Sequence, residues 1–109
     1  LSQLPIILPF QRPDVYSAFH LYVIQIDHSL SPINRDVLFN RLREEGIGVN
    51  VHYIPVHTQP YYQQFNFKKN QFIEAEKYYS NAISLPIFSA LTDDAQQKII
   101  AVLKKELQK

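Results

Sequence analysis

Two imidazoles and a phenol lie close together in the segment Gly46-Ile-Gly-Val-Asn-Val-His-Tyr-Ile-Pro-Val-His57. The Ile and Val residues predict a β-strand from about residue 47 to residue 54, which Pro55 ends because it has no N–H for a ladder. Enzymes often place binding groups at the end of a strand, where a rigid element meets an open loop. His52, Tyr53 and His57 are therefore candidate ligand-binding residues.

A metal site is the sharpest alternative for His52 and His57. It would need a third ligand and a defined geometry, and the sequence has no carboxylate nearby. A hydrogen-bonding histidine at a strand end and an ordinary structural histidine both remain open. His20 is expected to be a core histidine within a strand, and His28 an exposed residue of a turn.

Tyrosines extend the candidate region toward the C-terminus. Tyr61 and Tyr62 follow Pro60 and are expected either to line a groove or to pack within a loop. Glu74 and Glu76 are two positions apart on a predicted helix, about 200° around its axis, and do not form a catalytic pair. The sequence shows no local Ser/His/Asp arrangement, so its own residues predict no complete active site.

The elements that position these residues are predicted to form an α+β two-layer small domain. In it, helices cover a short and mainly antiparallel sheet. A central strand is expected at 18–26 and a helix from a Ser31 or Asn34 cap to a left-handed Gly46. A helical turn follows Pro60. The remaining elements are a helix from Asn70 or Gln71 through Ala82, an extended Leu85-Pro86-Ile87, and a helix capped by Thr92 with an apolar stripe to Leu107.

Composition excludes several classes of protein. The formal net charge of +1 supplies no basic field for nucleic acid, and the absence of cysteine removes disulfides and thiolate catalysis. No apolar run reaches the ~18 residues of a membrane span, so no membrane partner is expected and the cytoplasm is the default location. Gly46 and Gly48 are the only glycines, which excludes Gly-rich phosphate loops.

The first sixteen residues differ from the rest. Prolines at 5, 9 and 13 predict extended or turning chain, and the apolar residues between them predict a connector that lies over another part of a protein. The chain begins at Leu1 and contains no methionine. Processing and excision from a larger protein both explain this.

Five motifs, taken in order, resemble the C-terminal region of the DegT/DnrJ/EryC1/StrS aminotransferases, pyridoxal-phosphate enzymes that act on sugar nucleotides. The segment from Gly46 to His57 is the most specific of them. The resemblance covers nearly the whole chain from Leu4 onward. The other motifs are Phe19-His-Leu-Tyr-Val-Ile24, Gln59-Pro-Tyr-Tyr62, Ala75-Glu-Lys-Tyr-Tyr79 and Ser84-Leu-Pro86.

The resemblance implies the C-terminal small domain of the aspartate-aminotransferase type I fold, at residues 17–109. Residues 1–16 would connect it to an absent N-terminal domain that holds pyridoxal phosphate (PLP) and the Schiff-base lysine. None of the lysines here lies in a matching motif. PLP is therefore expected in the full-length enzyme, with none bound to this chain, which would be inactive alone and whose catalytic residues would lie elsewhere.

The resemblance also implies substrates and partners. The full-length enzyme is expected to be a homodimer that transfers an amino group from glutamate to a UDP-linked 4-keto-6-deoxy sugar. His52, Tyr53, His57 and Tyr61 would contact the sugar nucleotide, since imidazole and phenol groups donate hydrogen bonds to phosphate and sugar oxygens. The rival hypothesis is a stand-alone binding or interaction module without catalytic activity.

Overall fold

The computed structural model describes residues 1–68 and 70–108, so Lys69 of the predicted loop and Lys109 at the end of the predicted domain lie outside the described residues. The strands are β1 (Ile6–Ile7), β2 (Tyr22–Ile26) and β3 (Ala82–Leu85). The helices are α1 (Arg35–Glu44), α2 (Pro60–Gln63), α3 (Ile73–Asn81) and α4 (Asp93–Leu107), with a 3₁₀ turn at Val56–Thr58.

The three strands form one antiparallel sheet in the order β1-β2-β3, which confirms the predicted fold class and the central strand. Ile24 lies opposite Ile83 across the central pair. The edge strand β1 lies within the predicted connector, where Ile6 pairs with Ile26. Proline before and after this short strand confines it to the edge of the sheet.

Local sequence signals determine where the helices begin and end. Asn34 caps α1 by accepting a hydrogen bond from the Val37 N–H, and Thr92 caps α4 by accepting one from the Ala95 N–H. Gly46 has φ +76°, a left-handed conformation that costs glycine little. The predicted caps at Asn34 and Thr92 and the left-handed Gly46 are confirmed.

A single hydrophobic core joins the sheet to α1 and α4. Alternate residues of β2 point into it, and all four residues of β3 are buried. Its largest fully buried side chains are Ile24, Ile26, Leu38, Leu42, Ile83 and Leu103.

Charged groups join α1 to α4 at the border of this core. Arg41 pairs with the buried Glu106 at 2.5 Å. At the C-terminus of α1, the Lys98 ammonium donates to the Glu45 carbonyl oxygen, and the Lys105 ammonium donates to the Glu45 carboxylate at 2.8 Å. That hydrogen bond lowers the pKa of Glu45 and raises the pKa of Lys105. Cations near a helix C-terminus also oppose its dipole.

The predicted strand at 47–54 is wrong. Only Asn50 pairs with the sheet, through one bridge to Ser84 at the free edge of β3. The next hydrogen-bonded pairs of an antiparallel ladder would join residue 48 to Pro86 and residue 52 to Ala82. Pro86 has no N–H, and the N–H of Ala82 already donates to the Tyr78 carbonyl at the end of α3. The segment is therefore extended chain held at one point.

Three smaller predictions are corrected. The central strand begins at Tyr22, not at residue 18, so His20 is exposed in the preceding loop and is not a core residue. Helix α3 begins at Ile73, and Ala82 opens β3 instead of continuing the helix. Pairing with β2 determines this boundary, because Ala82 lies opposite Gln25. Within the described residues no helix is both long enough and apolar enough to span a membrane.

Candidate functional site

The segment from Asn50 to His57 starts at the free edge of β3, is extended as far as Pro55 and then enters the Val56–Thr58 turn. It carries His52, Tyr53 and His57, whereas Tyr61 lies on α2. Two backbone hydrogen bonds join Asn50 to Ser84, at 2.8 and 3.2 Å. The Val51 N–H donates to the Asn50 side chain at 2.8 Å, so it is satisfied without a neighbouring strand. This arrangement holds the start of the segment, after which Tyr53 and Ile54 are exposed and His52 and His57 are half-buried.

His52 and Tyr53 differ in their surroundings. The ring nitrogen Nδ1 of His52 lies 2.8 Å from Ser84 Oγ, in a hydrogen bond whose donor depends on the ring tautomer. His52 is half-buried, whereas Tyr53 is 66% exposed. The peptide bond between them is cis. The imidazole is held by Ser84 and the phenol is open to solvent, and both groups can donate hydrogen bonds to a polar ligand.

His57 is held by a carboxylate that the sequence does not place near it. Its Nε2 lies 2.9 Å from Glu76 Oε1 on α3, and its side chain is only 11% exposed. The ring also packs on Phe72, with centroids 4.8 Å apart. Glu76 is nineteen residues away in sequence, so no local spacing could have identified it. The pair ties the Val56–Thr58 turn to α3.

An aromatic surface surrounds His57. It comprises the side chains of His57, Tyr61, Tyr62, Phe65, Phe67 and Phe72, whose neighbouring ring centroids lie 4.8–6.3 Å apart. Tyr61, a member of this surface, is 68% exposed. A groove of about 350 Å³ opens between Val56, His57, Tyr62, Phe67, Phe72 and Ala75. The sequence left open whether the tyrosines after Pro60 line a groove or pack within a loop. Tyr62 does both, since it lines this groove and packs against Tyr61 and Phe65.

The described residues contain no cluster of three or more His, Asp or Glu side chains suited to a metal ion. Glu76 contacts His57 alone of the two candidate histidines, while His52 contacts Ser84. Nothing in residues 1–68 and 70–108 supports the zinc hypothesis.

Comparison with known proteins identifies the family of this chain. The family model for the DegT/DnrJ/EryC1/StrS aminotransferases matches residues 1–104. This chain belongs to that family. Its relatives include the spore coat polysaccharide biosynthesis protein SpsC of Bacillus subtilis, 39% identical over 106 residues, which are 94% of this chain and 27% of SpsC.

Solved structures of the family share the fold. S. venezuelae DesV, crystallised with a ketimine intermediate, superposes with a TM-score of 0.84 at 28% identity and covers 95% of this chain and 27% of its own. Helicobacter pylori PseC, an aminotransferase of pseudoaminic acid biosynthesis, has a TM-score of 0.73 at 30% identity over 84% of this chain and 24% of its own. The chain spans about a quarter of the length of these relatives.

The family is PLP-dependent, and the candidate residues His52, Tyr53, His57 and Tyr61 include neither a lysine nor a carboxylate. PLP chemistry needs a lysine amine for the Schiff base and a carboxylate for the pyridine nitrogen. Among the described residues, Glu76 is the carboxylate that contacts a candidate residue, and it is paired with His57.

Proposed function

We propose that this chain forms part of a PLP-dependent aminotransferase that transfers an amino group from glutamate to a UDP-linked 4-keto-6-deoxy sugar. The cofactor and its lysine would be held by residues outside this chain, and the extended segment would close one side of the active site. Membership of the aminotransferase family supports the reaction class. The observation that carries the role of the segment is that a His52 ring held by Ser84 is followed directly by an exposed Tyr53.

His52, Tyr53, His57 and Tyr61 are the proposed substrate-binding residues. His52 and Tyr53 would donate hydrogen bonds to phosphate or sugar oxygens. Tyr61 would present its exposed ring and hydroxyl from the aromatic surface. His57 has its Nε2 committed to Glu76, so its contribution would come from the other ring nitrogen or from the position it gives to the turn.

Our more specific proposal is that the enzyme containing this chain is the transaminase of pseudaminic acid biosynthesis. It is supported by the specific motif from Gly46 to His57 and by the similarity to PseC. The name of SpsC, with its reference to polysaccharide biosynthesis, supports the broader class of carbohydrate substrates. We further propose a cytoplasmic homodimer, in which each subunit contains PLP. Family membership does not favour the rival hypothesis of a stand-alone binding module.

Steady-state kinetics of the enzyme that contains this chain test the proposal. Transfer from glutamate to a UDP-linked 4-keto-6-deoxy sugar should be observed, and His52→Ala should raise KM for the sugar nucleotide more than tenfold, a loss of over ~1.4 kcal/mol. KM for glutamate should change much less.

His28→Ala is the matched control, because it removes an exposed imidazole from the turn after β2. An unchanged KM in His52→Ala, or an equal rise in His28→Ala, would contradict the binding role of His52. Absence of transfer to any 4-keto sugar nucleotide would contradict the reaction itself.

A further inference from the structure

Ser84 is joined to the Asn50–His57 segment through both its backbone and its side chain. Its N–H donates to the Asn50 carbonyl and its carbonyl accepts from the Asn50 N–H. Two residues further along the segment, His52 Nδ1 lies 2.8 Å from Ser84 Oγ. One residue of β3 thus holds the segment by its main chain and the candidate imidazole by its hydroxyl.

The sheet does not need the Ser84 hydroxyl. The ladder of β3 uses only backbone groups, and a small apolar residue would form it equally well. Ser84 is 5% exposed, and burying a hydroxyl is unfavourable unless it forms a hydrogen bond. Within the part of the chain that the structure describes, His52 is the partner of this hydroxyl. The imidazole therefore explains why a polar group is tolerated here.

The hydrogen bond also determines how the ring presents its second nitrogen. The hydrogen-bonding directions of the two imidazole nitrogens diverge widely, so a ring with Nδ1 directed at β3 directs Nε2 away from it. Among residues 1–68 and 70–108, Nε2 of His52 has no hydrogen-bond partner. When the Ser84 hydroxyl donates to Nδ1, the ring hydrogen resides on Nε2, which then donates outward.

The geometry points to Ser84 as a positioning residue for substrate binding, which holds His52 so that Nε2 donates to an oxygen of the sugar nucleotide. This inference rests on the proposed function of His52. Ser84 itself does not touch the substrate in this scheme. Its effect passes through the orientation and tautomer of the imidazole, as the partner of a functional histidine commonly acts.

Kinetics of Ser84 variants in the enzyme that contains this chain provide the first test. Ser84→Ala should raise KM for the UDP-linked 4-keto-6-deoxy sugar about three- to tenfold, the effect of losing one hydrogen bond, with kcat within about twofold. Ser84→Cys, close in volume but a weak donor, should act in the same direction and serves if the alanine variant fails to fold. Ser84→Thr retains the hydroxyl and should stay nearer the parent.

A double variant separates positioning from a general effect on structure. In a His52→Ala background, Ser84→Ala should change KM less than twofold, because the group it acts through is gone. An equal rise in KM with and without His52 would overturn the inference. A rise in Ser84→Thr as large as that in Ser84→Ala would also overturn it.

Nitrogen-15 NMR of ring-labelled histidine reads the same contact without reference to activity. The His52 signals are identified by their loss in His52→Ala. Their nitrogen-15 chemical shifts should change when the Ser84 hydroxyl is removed, because the ring hydrogen redistributes between Nδ1 and Nε2. Unchanged signals would overturn the positioning role even if KM rises. If His52→Ala leaves KM unchanged while these signals shift, the proposed function of His52 fails and the Ser84 contact stands.

Discussion

The hydrophobic core and the aromatic surface differ in how far their large side chains are exposed. The core between the sheet and helices α1 and α4 buries its largest side chains completely, with Leu103 and Ile24 fully inaccessible. The aromatic surface exposes still larger side chains, including Phe65 at 56% and Tyr61 at 68%. Burial stabilises a fold, whereas an exposed cluster of rings marks a surface that contacts something else.

The contrast extends to polar groups. At the aromatic surface, His57 and Glu76 form a pair that joins a turn to a helix. Elsewhere, His52 and Ser84 form a pair that joins the Asn50–His57 segment to β3. Both pairs fix imidazoles in place where the backbone has no continuous ladder. Side-chain hydrogen bonds thus replace secondary structure in the region that we propose binds substrate.

Breaking the core should produce the largest effect on stability. Leu103→Ala removes a fully buried side chain from α4, and we expect the free energy of unfolding to fall by ~2–5 kcal/mol. Leu30→Ala is the matched control, since Leu30 is 72% exposed and its loss should cost less than ~0.5 kcal/mol. Urea denaturation of the chain measures both. Similar losses for the two variants would show that this core is not what stabilises the fold.

Breaking the aromatic region should cost less. Glu76→Ala removes the partner of His57, and we expect a loss of ~1 kcal/mol together with faster hydrogen exchange at the Val56–Thr58 turn. Glu74→Ala is the control because it lies on the same first turn of α3 and is exposed. Any loss of favourable charge at the helix N-terminus is common to both variants.

The difference between these two variants therefore isolates the pair with His57. Equal stability and equal exchange at the turn would contradict its role in holding the turn to α3. A larger loss than in Leu103→Ala would reverse the order of the two regions.

The elements with local signals could be predicted from the sequence. Asn34, Gly46 and Thr92 mark helix boundaries within a few residues, so their caps follow from residue type alone. The β-branched run that becomes β2 has a similarly local signal, although its first residues lie outside the strand.

The parts that could not be predicted depend on distant residues. The segment after Gly48 has the composition of a strand, yet Pro86 and the last hydrogen bond of α3 stop its ladder after one bridge. The partners of the candidate residues are also distant in sequence. His52 contacts Ser84, which lies 32 positions further along the chain. The motif identifies which residues are of interest, and the tertiary fold determines what they touch.

The smallest expected effect lies at the border of the core, where Lys105 donates to Glu45 and lowers its pKa. The stabilisation from this carboxylate is fully present above its ordinary value of 4.5, which applies to the unfolded chain, and is lost as the pH falls through the lowered folded value. Lys105→Met should raise the pKa of Glu45, as followed by carbon-13 NMR titration. Lys104→Met, which removes an exposed neighbouring charge, should move it much less. Both groups are exposed, so salt should weaken the shift, and a pKa of Glu45 that is insensitive to Lys105 would show that this contact does not persist in solution.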